Sequence, residues 1–383
     1  MQLTSRGQNQ MNQKTYFISL GGAGNSILDE ILTKTEIVTN KPQQTAYINF
    51  STSDVSEANK TSNLLIVGGD GTGRSKTKGQ ELIRKHSKEI NSFIENFYKK
   101  GPERETTPFN VCIISSMGGG TGSSLTPFIL DSLSQYDNEL MNISLLAVIS
   151  SPKEGVATLP NSIKSFQDIY NNFLLTNKLK TCFLIDNKKF EKDFNINTFD
   201  FDKMNEIIAS IVSVIFNEEQ FRTSASGHQS LDVNEFRRVL SWGKGLCDIS
   251  IIDFDSISDT SEFNVDSVMF SGKYKYNTAK AIAVSIMFAD KESNILPADI
   301  SAATSILEQV KKKFPVGFFV FGFSFDNKRT GGQSVPLRFR IFANGVNLPG
   351  DVQSNIKKAT KDVQKLKTDN EKLEISSDAD LDF

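Results

Sequence analysis

Short apolar runs alternate with helix-like stretches through the first half of the chain, and this alternation constrains the fold more than any other feature. Residues 16–20, 46–50, 64–67, 111–115, 144–149 and 181–185 read as strands. Helices are expected between them over 25–33, 79–98, 121–134 and 162–174. Strands that are apolar on both faces and spaced by helices imply a parallel sheet covered on both sides. Right-handed crossovers then bring the loops that follow the strands to one edge, where ligands bind. The expected class is α/β with a Rossmann-type parallel sheet.

The second half reads differently. Met204, Ile207, Ile208, Ile211, Val214 and Ile215 recur at helical spacing and are apolar on more than one side, so a buried connecting helix is expected over 201–222. Runs at 281–289, 318–325 and 337–343 look like strands and 300–313 like a helix, a smaller α+β domain. The expected plan is a flexible arm (1–14), a nucleotide-binding domain (15–200), the central helix (201–222), a second domain (223–349) and a C-terminal helix and tail (350–383). Residues 351–372 are rich in Lys, Asp and Gln, and the end of the chain, E-I-S-S-D-A-D-L-D-F, is acidic and too poor in apolar residues to fold alone.

Composition excludes several functions. Lys and Arg number 43 against 45 Asp and Glu, a net charge of −2, so no overall basic field attracts nucleic acid. The three Cys are far apart and only two His (His86, His228) are present, which argues against a disulfide framework, a zinc site and a His-based triad. The polar N-terminus does not resemble a signal peptide, and no apolar run approaches the roughly 18 residues of a membrane span. A soluble cytoplasmic protein without direct membrane contact is expected.

Three glycine-rich loops follow strands. The first is Gly21-Gly22-Ala23-Gly24-Asn25-Ser26, opening a helix whose N-terminus favours an anion. It lacks the third glycine of a dinucleotide fingerprint, because position 27 is Ile, and the next strand ends in Asn49 rather than an acid. The second, Gly68-Gly69-Asp70-Gly71-Thr72-Gly73-Arg74-Ser75, nearly spells a Walker loop, but Arg74 stands where the lysine belongs. The third is Met117-Gly118-Gly119-Gly120-Thr121-Gly122-Ser123-Ser124. Consecutive glycines can wrap a phosphate with backbone N–H groups, and the Thr121 and Ser123 hydroxyls add donors.

G-G-G-T-G-S-S after a strand resembles the signature loop of the tubulin/FtsZ superfamily of polymerising GTPases. The other loops fall in the same order: 21–26 resembles its first phosphate loop and 68–76, with Gly71, Thr72 and Gly73, its third. P-K-E-G at 152–155 resembles the ribose loop, with Glu154 as the sugar-binding acid. F-L-I-D-N at 183–187 resembles the strand ending in a guanine-contacting Asn187, and Asn205 matches the residue that holds the purine. The resemblance implies GTP or GDP with Mg²⁺ as ligands. The chain departs from the family in its second loop, N-F-S-T-S-D at 49–54, so no metal ligand is assigned, and Thr158 stands where division proteins carry Arg.

The charged C-terminal helix and acidic tail are most similar to those of the plasmid and phage segregation tubulins, the TubZ group. That likeness implies partition of plasmid or phage DNA through a DNA-binding, TubR-like adaptor on a centromere-like site. An FtsZ-like cytokinetic filament and a non-polymerising GTP switch are the alternatives. The binding loops supply no group to activate water, which phosphoryl transfer needs. Ser230-Leu231-Asp232-Val233-Asn234-Glu235 resembles the family's acidic synergy loop, with Ser230 for its Asn and Glu235 for its second Asp. The resemblance makes Asp232 and Glu235 catalytic for the next subunit of a head-to-tail homopolymer. Read without it, Asp232 is an ordinary helix cap.

Overall fold

The structure, a computed structural model, describes residues 14–35, 38, 41–55, 63–136, 139–155, 158–197, 200–216, 230–242, 245–254, 264–270, 278–288, 295–325 and 337–348. The expected arm, apart from Lys14, and the C-terminal helix and tail lie outside these residues.

The first half alternates as expected. It runs β1 (Thr15–Leu20), α1 (Gly21–Lys34), a short α2 (Lys41–Gln44), β2 (Thr45–Asn49), β3 (Asn63–Ile66), α3 (Lys76–Lys100), β4 (Phe109–Ser116), α4 (Gly120–Ser134) and β5 (Met141–Ile149). Then come α5 (Thr158–Ile169), which continues into one wider turn over Tyr170–Leu174, β6 (Thr181–Asp186) and α6 (Asn187–Asp193). Every residue of β1, β2 and β6 is buried, which is why these strands read as continuous apolar runs.

The central helix α7 is Phe201–Phe216, and residues 217–222 of the expected span lie outside the described ones. The second half contains α8 (Val233–Ser241), β7 (Leu246–Phe254), β8 (Ala281–Phe288), α9 (Pro297–Lys313), β9 (Phe318–Phe325) and β10 (Leu337–Val346). Its strands continue the sheet of the first half. All ten form one sheet in the order β3-β2-β1-β4-β5-β6-β7-β10-β8-β9, joined between the halves by the single pair Phe183↔Cys247. Only β10 runs against the other strands.

Two cores cover the sheet. On one face, residues of α3, α4, α5 and α9 pack with Ile18, Ile113, Leu145 and Phe339. On the other, α1, α7 and α8 pack together. There Met204, Ile208 and Ile215 of α7 share a core with Phe17 and Phe183 of the first half and Phe236, Ala281 and Phe342 of the second. The helix is therefore buried against both halves, as its two-sided apolar pattern implies. No helix among the described residues is long and apolar enough to cross a membrane.

Candidate nucleotide site and its distant acidic loop

The strand order reverses between β1 and β4, and α1 and α4 start there on opposite faces of the sheet. Such a switch point opens a crevice at the carboxyl ends of the strands. The first glycine loop is not a loop in space but the opening turn of α1, with Gly21 at φ +75. This geometry aims backbone N–H groups of α1 into the crevice from one side, while α4 begins at Gly120 on the other. The two meet, since a Cβ on Gly21 would lie 3.1 Å from the Thr121 Cβ.

The loop of residues 68–75 closes over α4. A side chain on Gly120 would collide with the Thr72 hydroxyl and come within 2.9 Å of the Ser75 nitrogen. Ser75 caps α3 by accepting from the Lys78 N–H at 3.2 Å. The second loop clasps the third through Thr52 N–H to Gly69 O (3.2 Å) and Gly71 N–H to Phe50 O (2.7 Å). It also brings the Asp54 carboxylate to 3.3 Å from where a Gly22 Cβ would be.

Glycine in the 117–124 loop has a reason besides the expected ligand approach. Cβ atoms on Gly118 and Gly122 would strike the Ser150 hydroxyl and the Ser116 carbonyl, so these glycines let neighbouring protein in. Only Gly119 of this run faces open space. The Ser123 hydroxyl turns inward to the Gly120 carbonyl (3.4 Å), whereas Thr121 has no side-chain partner among the described residues.

On the far side of α4, Ser151 and Glu154 form a reciprocal cap in which Glu154 Oε1 accepts from the Ser151 N–H at 2.7 Å. The same oxygen accepts from Asn187 Nδ2 at 2.9 Å, so the expected ribose and guanine contacts adjoin. Three buried amide atoms in the region lack any partner among the described residues, Asn25 Nδ2, Asn49 Nδ2 and Asn187 Oδ1, and Asn205 in α7 makes no side-chain hydrogen bond among them. Unpaired amides of this type are costly in a protein interior and suit a polar planar ligand such as a purine. Thr158 spends its hydroxyl on the Gly155 carbonyl at 2.8 Å. Among the described residues no three His, Cys, Asp or Glu side chains are grouped as a metal cage.

Asp232 and Glu235 are not part of this crevice. Asp232 caps α8, accepting from the N–H groups of Asn234 (2.8 Å) and Glu235 (3.1 Å). The face of α8 bearing Asn234, Arg237, Arg238 and Ser241 lines a cavity of about 280 Å³ with Phe109, Met141 and Lys180, residues at the amino ends of β4, β5 and β6. The glycine loops lie at the carboxyl ends. β4 alone has eight residues, which at about 3.3 Å each puts roughly 26 Å between the two edges.

Comparison with known proteins agrees with this geometry. Residues 14–195 match the Tubulin/FtsZ family, GTPase domain. That segment of the chain is similar to the GTPase domain of the tubulin/FtsZ family. Over 316 residues it is 24% identical to the tubulin-like protein TubZ of Clostridium botulinum C phage, covering 79% of this chain and 75% of that one. The fold as a whole is tubulin/FtsZ-like. It is similar to the GTPγS-form protofilament of Bacillus thuringiensis serovar israelensis TubZ, with a TM-score of 0.70, 14% identity, and 94% and 95% of the two chains covered. It is also similar to the GTPγS-bound protofilament of CetZ2 from Haloferax volcanii, with a TM-score of 0.68, 16% identity, and 93% and 100% covered. Guanine nucleotide is the ligand this fold implies.

Proposed function

We propose that the chain hydrolyses GTP and polymerises head-to-tail, each subunit's Asp232 and Glu235 completing the nucleotide site of its neighbour. The observation that supports this reading is the separation just described: α8, the helix that begins with the acids, lines the amino ends of β4 to β6, while the phosphate-type loops follow the carboxyl ends. Copies stacked edge to edge bring the two together, and a heterologous contact that does not close produces an open polymer. Protofilaments of TubZ and CetZ2, which share the fold, support the same assembly.

Gly21 to Asn25, Gly71 to Gly73 and Gly118 to Ser123 surround the phosphates in this reading, chiefly through backbone N–H groups. Glu154 takes the ribose, and Asn187 and Asn205 take the base. Magnesium bound to a nucleotide needs only one or two protein carboxylates and would neutralise phosphate charge. Asp54, set against Gly22, is the residue that would hold it. Asp232 and Glu235 are exposed, and among the described residues no cation pairs with them, which leaves them able to orient or deprotonate water in the neighbouring site.

The cargo in this reading is plasmid or phage DNA, reached through an adaptor bound by the C-terminal tail. The relationship to a phage TubZ supports it. Sedimentation with GTP against GDP, with phosphate release followed over a dilution series, tests the core claim. Release per subunit that stays constant down to the lowest concentration, with no pelleting, would refute it.

A further inference from the structure

Arg74 has the most unusual backbone of the third loop. The loop places glycine at four of its left-handed positions, Gly68, Gly69, Gly71 and Gly73, yet Arg74 adopts φ +66. The only other non-glycine residues with positive φ among the described ones are Asn177 and Asn195, a type that tolerates this region well. Arginine here costs free energy that glycine would avoid.

The structural return on that cost is small. Arg74 is exposed, and its guanidinium makes one long hydrogen bond, Nη1 to the Glu154 carbonyl at 3.4 Å. Its remaining N–H donors have no protein acceptor among the described residues. Nearby cations differ: Lys76 is paired with Asp168 at 2.8 Å and Lys153 with Glu191 at 3.2 Å.

Position explains what packing does not. Thr72 and Ser75, on either side of Arg74, both press on Gly120 at the start of α4. From there the guanidinium reaches the ribose-type loop, 3.6 Å from where a Gly155 Cβ would lie, beside the Thr158 methyl at 3.7 Å from the same point. Thr158 itself cannot supply a charge. The side chain thus bridges the loops after β3 and β5, over the loop after β4 that lies between them.

We propose that Arg74 is a phosphate-binding residue, its guanidinium, which no carboxylate pairs among the described residues, bridging the loops at 68–75 and 151–155 to clamp the nucleotide's phosphate chain against the amino end of α4. The proposal rests on reading the crevice as a guanine-nucleotide site. A guanidinium presents a planar fork of donors suited to phosphate oxygens, which a lysine ammonium does not.

The test is calorimetric titration of the full chain with GTP and with guanosine. Arg74→Gly deletes the guanidinium while accepting the left-handed backbone. It should bind GTP about 10- to 100-fold more weakly and guanosine within about twofold of the parent. Arg74→Lys should recover part of the GTP loss. An Arg74→Gly variant that binds GTP as tightly as the parent overturns the proposal. Equal loss for GTP and guanosine also overturns it, by marking loop collapse rather than a missing phosphate contact. A parent chain that binds neither ligand removes the site itself, a failure distinct from either variant result.

Discussion

Gly119, Gly122 and Asp232 show how far single residues were legible. The run of glycines signals close approach, read from the sequence as the approach of a phosphate, and the approach the structure shows is that of neighbouring protein. Carbonyls and hydroxyls of adjoining loops fill the space beside Gly118, Gly120 and Gly122, and no pattern in one sequence separates such neighbours from a ligand. Gly122→Ala should therefore cost about 1–3 kcal/mol in thermal unfolding, because the new methyl meets a backbone carbonyl. Gly119→Ala should unfold near the parent temperature and show its effect in nucleotide titration instead. At Asp232 the bland and the sharp readings are compatible, since the carboxylate caps α8 and stays exposed. Asp232→Asn separates them. Asparagine caps about as well as aspartate, so stability should change by less than about 0.5 kcal/mol. GTP binding should persist, turnover fall, and polymers outlast those of the parent in a pelleting time course. Normal turnover in that variant would remove Asp232 from the mechanism.

At the scale of elements, the buried parallel strands were read to within a few residues at each end, because burial on both faces leaves a continuous apolar signal. β7 was missed. Its sequence, L-C-D-I-S-I-I-D-F, carries Asp248 and Ser250 into the interior, and the Ser267 hydroxyl bonded to Asp248 at 2.5 Å accounts for the buried charge only in three dimensions. The expected separate α+β unit is likewise an extension of one sheet, with β10 reversed, because strand pairing across distant segments has no local signature. The entry to α8 makes one especially close contact: the backbone of Leu231, just before the cap, lies against Gly322 of β9. Gly322→Ala should push that segment off the sheet, lowering stability by about 1–3 kcal/mol. It should also reduce turnover while leaving nucleotide affinity intact, which paired unfolding and titration measurements would show.

For the whole molecule, the proposed division of the site between two copies makes a strong demand on mixtures. A variant unable to bind nucleotide and the Asp232→Asn variant should each be nearly inactive alone. Mixed, they should regain phosphate release, because some junctions join a sound crevice to a sound acidic loop. A mixture no more active than its parts would place the acids in their own subunit's chemistry. The joint between the two halves of the sheet has its own mechanical consequence. Neighbouring strands elsewhere are laced by four or more ladder pairs, but the β6–β7 ladder holds the single pair Phe183↔Cys247. A sheet laced this lightly at one joint bends there first, so in the proposed polymer force should be absorbed at this seam as a swivel of one half against the other, with α7 as the axle that both halves grip.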